Sequence, residues 1–350
     1  MSVKPKVTVF IPVHNRSDYV CVAVNSILAQ TFGGFELLIV DDGSTDDTVE
    51  VLQRYRDPRI RIERNGTNQG IPATRNRGLE LARGEYIALL DSDDHAYPER
   101  LQKQVAFLDA NPAIAQVGSW CSFMDQHGIM LDRIRRQPLQ PDDIHAHMLF
   151  HCPLVNRTIM ARTEILREYG YDTDFPRCQD YDLHSRMVGE QNMANLPDIL
   201  VCGREHPGRF TGQTGDLGKN RKMAIYWYLL NRVNIDATEQ DLERHHALTR
   251  RSDRRDETLD YLEWAEAWLC RLKQANLKHM AMPKPAFHRV LGALWALNCW
   301  QAHKELGKRK MLGRLLRSPL VRGIPGNLRP RFLMLAMRKA PKTDISDHKP

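Results

Sequence analysis

The stretch over residues 85–94 most strongly constrains how this chain can fold. An apolar run at residues 86–90 ends in three carboxylates within four positions, Asp91, Asp93 and Asp94. Such a run is typical of a strand buried on both faces, and residues that follow it lie where open α/β sheets bind ligands. Three crowded carboxylates repel one another, so they favour a hard divalent cation such as Mg²⁺ or Mn²⁺. The alternative for this stretch alone is an acidic helix N-cap without a ligand.

Strand and helix patterns alternate over roughly the first 110 residues. Further apolar strand patterns occur at residues 7–11, 35–40 and 60–62, and helical spacing lies between them. This alternation predicts an α/β fold with a mostly parallel sheet covered by helices. The sequence contains neither G-x-G-x-x-G after a strand nor G-x-x-x-x-G-K-[ST]. We therefore expect acidic residues and a metal, rather than a glycine-rich loop, to neutralise the charge of any nucleotide phosphates.

The C-terminal part of the chain is predicted to be helical and basic. Helical spacing recurs at residues 223–233, 239–248, 258–275 and 287–305, and from residue 286 onward 14 Lys and Arg stand against 3 Asp and Glu. We expect a catalytic domain over residues 1–217, followed by a mainly helical, basic region over residues 218–350.

Composition and cysteine usage favour a cytoplasmic protein. The hydrophobic content is 42% and the charged content 27%, values typical of a soluble globular chain. The seven cysteines are scattered and form no C-x-x-C pair, which favours reduced thiols over a disulfide framework or a zinc site. No signal peptide is expected before the first strand, and the longest late apolar run, residues 290–297, is too short to span a bilayer.

Six cations alternate with leucines and a methionine between residues 304 and 317. A basic amphipathic helix of this kind can lie on anionic lipid, which would place the protein on the inner face of the plasma membrane. It can equally be a solvated helix packed on the catalytic body. No stacking or groove-reading motif accompanies the charge, so nucleic acid is not an expected partner.

Six motifs in a fixed order carry a resemblance to a known family. They are TVFIPVHN at residues 8–15, VDDGSTD at 40–46, NQG with ATRN at 68–76, LDSDD at 90–94, QDYDL at 179–183 and REHPG at 204–208. Together they resemble the nucleotide-sugar domain of family 2 glycosyltransferases, which have the GT-A fold. The resemblance covers roughly residues 5–215.

The resemblance implies where a nucleotide-sugar donor binds. Asp42 would accept a hydrogen bond from the base, Pro12 and His14 would line the base pocket, and Arg75 would approach the diphosphate. A carboxylate suits a base that offers an imide N–H, and a guanidinium fork suits a diphosphate. From the residues alone, Asp42 can also be a turn carboxylate and Arg75 an exposed helix arginine.

The carboxylates of the acidic motif are expected to bind two different groups. By resemblance, Asp91 or Asp93 would hold the ribose, and Asp93 or Asp94 would bind the metal, which would act as a Lewis acid toward the departing diphosphate. His206 would contact the diphosphate or the metal, since imidazole can serve either role.

Asp180 matches the family's catalytic base. It would take the proton from an acceptor hydroxyl that attacks the anomeric carbon from the face opposite the diphosphate, with inversion of configuration. The chain departs from the family at Gln179, where Glu is common, so Asp180 lacks one like charge. A simple helix N-cap is the alternative for Asp180, and Asp182 is interpreted as a cap or salt-bridge partner.

The resemblance thus implies an inverting, metal-dependent glycosyltransferase that uses a nucleoside-diphosphate sugar. Its acceptor would be a hydroxyl of a glycan or lipid-linked molecule, in bacterial cell-surface polysaccharide or lipopolysaccharide biosynthesis. Two other classes compete. A non-catalytic nucleotide or glycan binder has Gln179 as its only support, and a receiver-like phosphoacceptor would place its acid pair after the first strand rather than the second.

Overall fold

In a computed structural model of the chain, residues 4–206, 215–249 and 259–324 are described. The chain divides into two compact units, Met1–Arg232 and Val233–Pro350. Among the described residues, the first unit holds all the strands and the second is helical. The division into functional domains at residue 217 stays a prediction.

A single mixed sheet forms the centre of the first unit. Its strands are β1 (Val7–Val13), β2 (Phe35–Asp41), β3 (Ile60–Arg64), β4 (Tyr86–Leu89), β5 (His95–Ala96), β6 (Ile114–Met124), β7 (Met130–Arg135), β8 (Met160–Arg162) and β9 (Asn192–Arg204). Their order in the sheet is β3-β2-β1-β4-β8-β6-β9-β5, with β7 pairing with β6. The predicted α/β class is confirmed.

The expectation of a mostly parallel sheet is confirmed only in part. β1 pairs in parallel with β2 and β4, and β2 pairs in parallel with β3. The three-residue β8 instead runs antiparallel to β4 and β6, and β5 and β7 are also antiparallel to their partners. Three residues are too few to show a periodicity, so no pattern in the sequence indicates β8.

The helices confirm most of the predicted elements. In the first unit they are α1 (Val20–Leu28), α2 (Thr48–Gln53), α3 (Ile71–Leu81), α4 (Arg100–Ala110), α5 (Pro141–Met148), α6 (Thr163–Tyr169), α7 (Gln179–Met187) and α8 (Gly215–Arg232). In the second they are α9 (Glu239–Ala247), α10 (Leu259–His279), α11 (Lys284–Leu306) and α12 (Lys308–Arg317). None of the helices in the described ranges combines the length and apolarity needed to span a membrane.

Close contacts at the start of β4 align it with β1. The hydroxyl of Thr8 donates to Glu36 at 2.6 Å and accepts from the backbone N–H of Gly84 at 2.8 Å. A Cβ atom at Gly84 would lie 2.4 Å from the backbone nitrogen of Thr8, so only glycine lets the chains approach this closely. Parallel pairing then carries the ends of β1 and β4 to the same edge of the sheet.

The carboxyl ends of β1, β2 and β4 meet at one edge. β1 lies between the other two strands, so the residues after each strand surround a common crevice, the usual ligand site of such sheets. Residues 12–14, 41–42 and 90–94 are therefore neighbours, as the sequence predicts.

Candidate functional site

Asp42 organises the loop that faces the end of β2. One of its oxygens, Oδ1, accepts from Asn65 Nδ2 at 2.7 Å and from the backbone N–H of Gln69 at 2.9 Å. The other, Oδ2, accepts from the backbone N–H of Gly70 at 2.9 Å. A carboxylate offers about four acceptor positions, so these three bonds leave room for one from a ligand.

The end of β1 lies against the same loop. The backbone N–H of Asp42 donates to the carbonyl of Val13 at 2.8 Å. Pro12 and His14 are half-buried there, and the buried Nδ1 of His14 has no hydrogen-bond partner within the described ranges. The structure therefore brings Pro12, His14 and Asp42 together, and His14 keeps hydrogen-bonding capacity for a bound molecule.

Asp94 forms a buried ion pair with Arg157. Asp94 is fully buried, and its two oxygens lie 2.7 and 2.8 Å from Arg157 Nη1. It also accepts from the backbone N–H of Arg204 at 2.9 Å. Burial raises the pKa of the Asp94 carboxyl, while the charge of Arg157 opposes that shift. The side chain of Asp94 therefore points into the protein, and its role as a metal ligand stays a prediction.

Gly203 provides the space for this arginine. A Cβ atom at Gly203 would lie 2.7 Å from Arg157 Nη1. The same guanidinium also approaches Asp91, with 3.8 Å between Arg157 Nε and the carboxylate. One fixed cation thus offsets two of the three predicted carboxylates.

Asp93 points to His206. The distance between Asp93 Oδ2 and His206 Nε2 is 2.8 Å. The ring of Tyr19 packs 5.0 Å from the His206 ring and 5.0 Å from the guanidinium of Arg204. Arg204 Nε in turn donates to the backbone carbonyl of Asp93 at 3.0 Å. This pair is therefore held on both sides, while residues 207–208, which follow His206 in its motif, lie outside the described residues.

Arg75 links the acidic motif to a buried tyrosine. Its Nη2 lies 3.5 Å from Asp91, and its guanidinium lies 5.3 Å from the centre of the Tyr171 ring. Asn76 holds that tyrosine by accepting from its backbone N–H at 2.7 Å and donating to its carbonyl at 2.8 Å. Burial raises the pKa of Tyr171 to about 12, and the charge of Arg75 opposes that shift. Tyr171 thus lies beside Arg75, next to the acidic motif.

Asp180 is the second residue of α7. Cys178, directly before the helix, adopts a left-handed conformation with φ 59°, which turns the chain sharply into the helix. Asp180 is half-buried, and its neighbour Asp182 forms an ion pair with Arg186 at 3.0 Å, as predicted. One turn later His184 is buried; burial lowers the pKa of His184 to about 4, and the charge of Asp180 opposes this shift. Asp180 therefore keeps an accessible carboxylate above a neutral imidazole.

Sequence reasoning missed the residues that support these side chains. Arg157, Tyr19, Tyr171 and Asn76 belong to the site through contacts with distant parts of the chain. Of these four residues, only Asn76 lies inside one of the six motifs. Its position in that motif does not indicate a contact with Tyr171.

Comparisons with known proteins identify the family of this chain. The model of "Glycosyl transferase family 2" matches residues 8–169. Over 247 residues the chain is 31% identical to an uncharacterised glycosyltransferase of Haemophilus influenzae, covering 66% of this chain and 76% of the relative. Over 204 residues it is 33% identical to the putative colanic acid biosynthesis glycosyl transferase WcaA of Escherichia coli, covering 54% and 68%.

A solved structure shares the fold. TarS of S. aureus, residues 1–349 in complex with UDP, superposes with a TM-score of 0.56 at 18% identity, over 89% of this chain and 90% of that one. At this identity the likeness shows the fold alone, and it confirms the predicted GT-A type of fold.

The Arg157–Asp94 ion pair should be essential for stability. In Arg157→Met the buried Asp94 loses its cation, and we expect the free energy of unfolding to fall by about 3–5 kcal/mol. The double variant Arg157→Met/Asp94→Asn removes the uncompensated charge and should regain most of that loss. Urea denaturation followed by circular dichroism measures both.

Arg54→Met is the matched control, because Arg54 pairs with Glu50 at the surface, where both side chains are about two-thirds exposed. It should cost less than about 1 kcal/mol. If Arg157→Met costs no more than this control, the buried pair does not have the role assigned to it.

Proposed function

Since this chain belongs to glycosyl transferase family 2 and is therefore a glycosyltransferase, we propose that it moves a sugar from a nucleoside-diphosphate sugar to an acceptor hydroxyl with inversion at the anomeric carbon. The observation that supports the proposal is the series of contacts from Asp91 through Arg75 to Tyr171, whose preceding residue accepts a hydrogen bond from Arg186 of α7 at 2.6 Å. This series supports Asp180, on the same helix, as the base near the proposed donor region.

The donor site would use the residues around β1 and β2. The remaining acceptor position of Asp42 suits an imide N–H of a pyrimidine base, and His14 and Pro12 would flank that base. Arg75 would face the diphosphate, for which its planar fork is well shaped. The complex of the similar TarS fold with UDP supports this class of donor.

A divalent metal, Mn²⁺ or Mg²⁺, fits the pair formed by Asp93 and His206. Their oxygen and nitrogen are 2.8 Å apart, a separation that two ligands of one small ion can adopt. In the described part of the chain, no group of three His, Cys, Asp or Glu side chains could hold a metal alone. Two protein ligands completed by donor phosphates and water are the usual arrangement for Mg²⁺. When bound, the ion would supply Lewis-acid stabilisation of the leaving diphosphate.

Side chains of the protein would carry out the proton transfer and stabilise the leaving group. Asp180 would accept the proton of the acceptor hydroxyl while that oxygen attacks the anomeric carbon, and Arg75 would stabilise negative charge on the diphosphate. Arg157 and Asp94 would hold the acidic loop in shape without touching the reacting atoms.

Asp180→Asn tests the proposed base. A panel of nucleotide sugars with Mn²⁺ first identifies, by thermal stabilisation, the donor that binds. Release of nucleoside diphosphate from that donor should then fall by about a hundred- to ten-thousand-fold in Asp180→Asn, with little change in donor affinity. Asp174→Asn, an exposed neighbour in the preceding loop, should retain the wild-type rate. Equal rates in wild type and Asp180→Asn would remove Asp180 from the mechanism.

Asp93→Asn and His206→Gln test the proposed metal ligands by a measurement that needs no turnover. Electron paramagnetic resonance titration of Mn²⁺ with UDP present should show about tenfold weaker metal binding in each variant, since loss of a single ligand weakens such sites by at least that factor. Asp132→Asn, which neutralises an exposed carboxylate on β7, should bind Mn²⁺ as the wild type does. Unchanged affinity in Asp93→Asn would contradict the assignment.

We propose a role in the synthesis of a bacterial cell-surface polysaccharide. The similarity to WcaA, whose name places it in colanic acid biosynthesis, supports this class of pathway. The acceptor would then be a glycan, free or attached to lipid.

A peripheral position on the inner face of the plasma membrane would suit a lipid-linked acceptor, and α12 is the element that supports it. One side of α12 is buried through Met311 and Leu315, and Arg314 pairs with Glu263 and Glu266 at 3.4 and 3.3 Å. The helix is therefore packed against α10 of its own unit. Its other side exposes Arg309, Lys310, Leu316 and Arg317.

Flotation with vesicles that contain anionic lipid tests the membrane contact. Each cation at the surface contributes about 1 kcal/mol, so the wild type should float at low salt. Floating should be lost in the triple variant Arg309→Gln/Lys310→Gln/Arg317→Gln. Wild-type protein that stays in the soluble fraction would contradict the proposal.

A matched control removes three exposed cations from the first unit, Arg54→Gln/Arg56→Gln/Arg83→Gln. It should float as the wild type does, because it lowers the net charge equally without altering α12.

A further inference from the structure

His184 is a buried histidine of α7 to which the proposed reaction gives no role. Its side chain is 1% exposed, and it follows Asp180 by four residues within the same helix. Residues at positions i and i+4 lie on one face of a helix, with Cβ atoms about 5–6 Å apart. Side chains also lean toward the N-terminus of their helix, which is the end that carries Asp180. The imidazole of His184 therefore borders the proposed base.

One nitrogen of the His184 ring is held by β6. Gln116 Nε2 lies 3.0 Å from His184 Nδ1 and 2.9 Å from Met193 Sδ. The two hydrogens of an amide nitrogen can serve both groups, because an imidazole nitrogen and a thioether sulfur can each accept. An amide oxygen in the same place would leave the sulfur without a donor. Met193 therefore sets the orientation of the Gln116 amide, and Nδ1 of His184 is an acceptor.

The other nitrogen of the ring is then a donor. A neutral imidazole carries one proton, so a ring whose Nδ1 accepts a hydrogen bond has its proton on Nε2. His184 Nε2 is buried and has no hydrogen-bond partner among the described residues. Buried donors without a partner are uncommon because they are costly. This N–H therefore indicates a contact that forms in another state of the site.

The surroundings of His184 keep its ring neutral. Burial lowers the pKa of His184 to about 4; the carboxylate of Asp180 opposes that shift, and the charges of Arg75 and Arg186 add to it. Near neutral pH, which lies above this pKa, the ring has one N–H and no charge.

The carboxylate of Asp180 has room for a further donor. Its Oδ1 accepts from the backbone N–H of Tyr181 at 2.9 Å. Because a carboxylate offers about four acceptor positions, this bond leaves space both for an N–H from the protein and for the hydroxyl of the acceptor. A donor that holds one oxygen of Asp180 would direct the other toward that hydroxyl.

We propose that His184 is a positioning residue for the base: once the nucleotide is bound, its Nε2–H donates to the carboxylate of Asp180 and holds it facing the acceptor hydroxyl. This rests on the proposed function, in which Asp180 is the base. A neutral donor suits the task because it orients the carboxylate without the ion pair that would weaken its basicity. Gln116 takes part indirectly, since the bond at Nδ1 decides which ring nitrogen carries the proton.

His184→Phe keeps an aromatic ring and removes both nitrogens. For the nucleotide sugar selected by thermal stabilisation, kcat for release of nucleoside diphosphate should fall about ten- to hundredfold, the range for one hydrogen bond to a charged group. KM for that nucleotide sugar and Kd for UDP should not change, because the lost bond acts on the base alone. His184→Gln places an amide N–H near the former Nε2 and should restore most of kcat.

Ser185→Ala is the matched control on the same helix. Ser185 is also buried, and its hydroxyl donates to the carbonyl of Asp182 at 2.8 Å. This variant removes a buried hydrogen bond of α7 without touching the base, so it should keep the wild-type kcat. Equal losses of kcat in Ser185→Ala and His184→Phe would overturn the proposal.

A double variant separates positioning from packing. His184→Phe leaves Gln116 Nε2 without its ring acceptor, which lowers stability. In His184→Phe/Gln116→Leu both polar partners are gone, so the melting temperature should recover while kcat stays low. Recovery of kcat together with the melting temperature would show that His184 acts through packing alone.

Nuclear magnetic resonance of ¹⁵N-labelled histidine rings tests the contact without turnover. With UDP and Mg²⁺ bound, the signals that disappear in His184→Gln should report a neutral ring with its proton on Nε2. That Nε2–H resonance should move upfield in Asp180→Asn, because a neutral amide oxygen accepts a weaker hydrogen bond than a carboxylate does. A proton on Nδ1, or an identical Nε2–H resonance in wild type and Asp180→Asn, would contradict the proposal.

Two results distinguish this inference from the proposed function. If Asp180→Asn loses activity while His184→Phe keeps the wild-type kcat, only the positioning role is rejected. If Asp180→Asn keeps the wild-type rate, Asp180 is not the base, and the positioning role is rejected with it.

Discussion

The buried ion pair between Arg157 and Asp94 is the interaction on which the rest of the site depends. Three carboxylates follow β4 within four residues, and without a cation they would repel one another. The pair turns Asp94 inward and brings a positive charge near Asp91, which leaves Asp93 to face His206. A fixed internal cation therefore allows three neighbouring carboxylates to remain in one loop.

Most of the first half of the fold could be predicted because its strands are buried on both faces. Every residue of β2 is buried, and four consecutive apolar residues at positions 37–40 lead directly to the polar site residues. β8 could not be predicted, since three residues show no period and its antiparallel position between β4 and β6 is set by tertiary contacts. Local pattern therefore predicts the elements but not the order in which the later strands pair.

The candidate site likewise contains residues that the sequence predicts and residues that it does not. Asp42 and Asp93 stand directly after predicted strands, and the structure places them where the pattern indicates. Arg157 is 63 positions from Asp94, and Tyr171 is 95 positions from Asn76. A lone arginine or tyrosine in sequence carries no signal for such a partner, because the contact exists only after the sheet has formed. The residues that follow the strands are thus easier to predict than those that hold them in place.

The arginines of the first unit differ in how strongly water screens their charges. Arg157 and Arg75 are 8% and 6% exposed, so water screens their charges weakly and their positions are fixed by Asp94, Asp91 and Tyr171. Such groups can stabilise developing charge without reorganising. The arginines of β7 are exposed, so water and salt screen their charges. The positive charge that shapes the candidate site therefore comes from the two buried guanidinium groups.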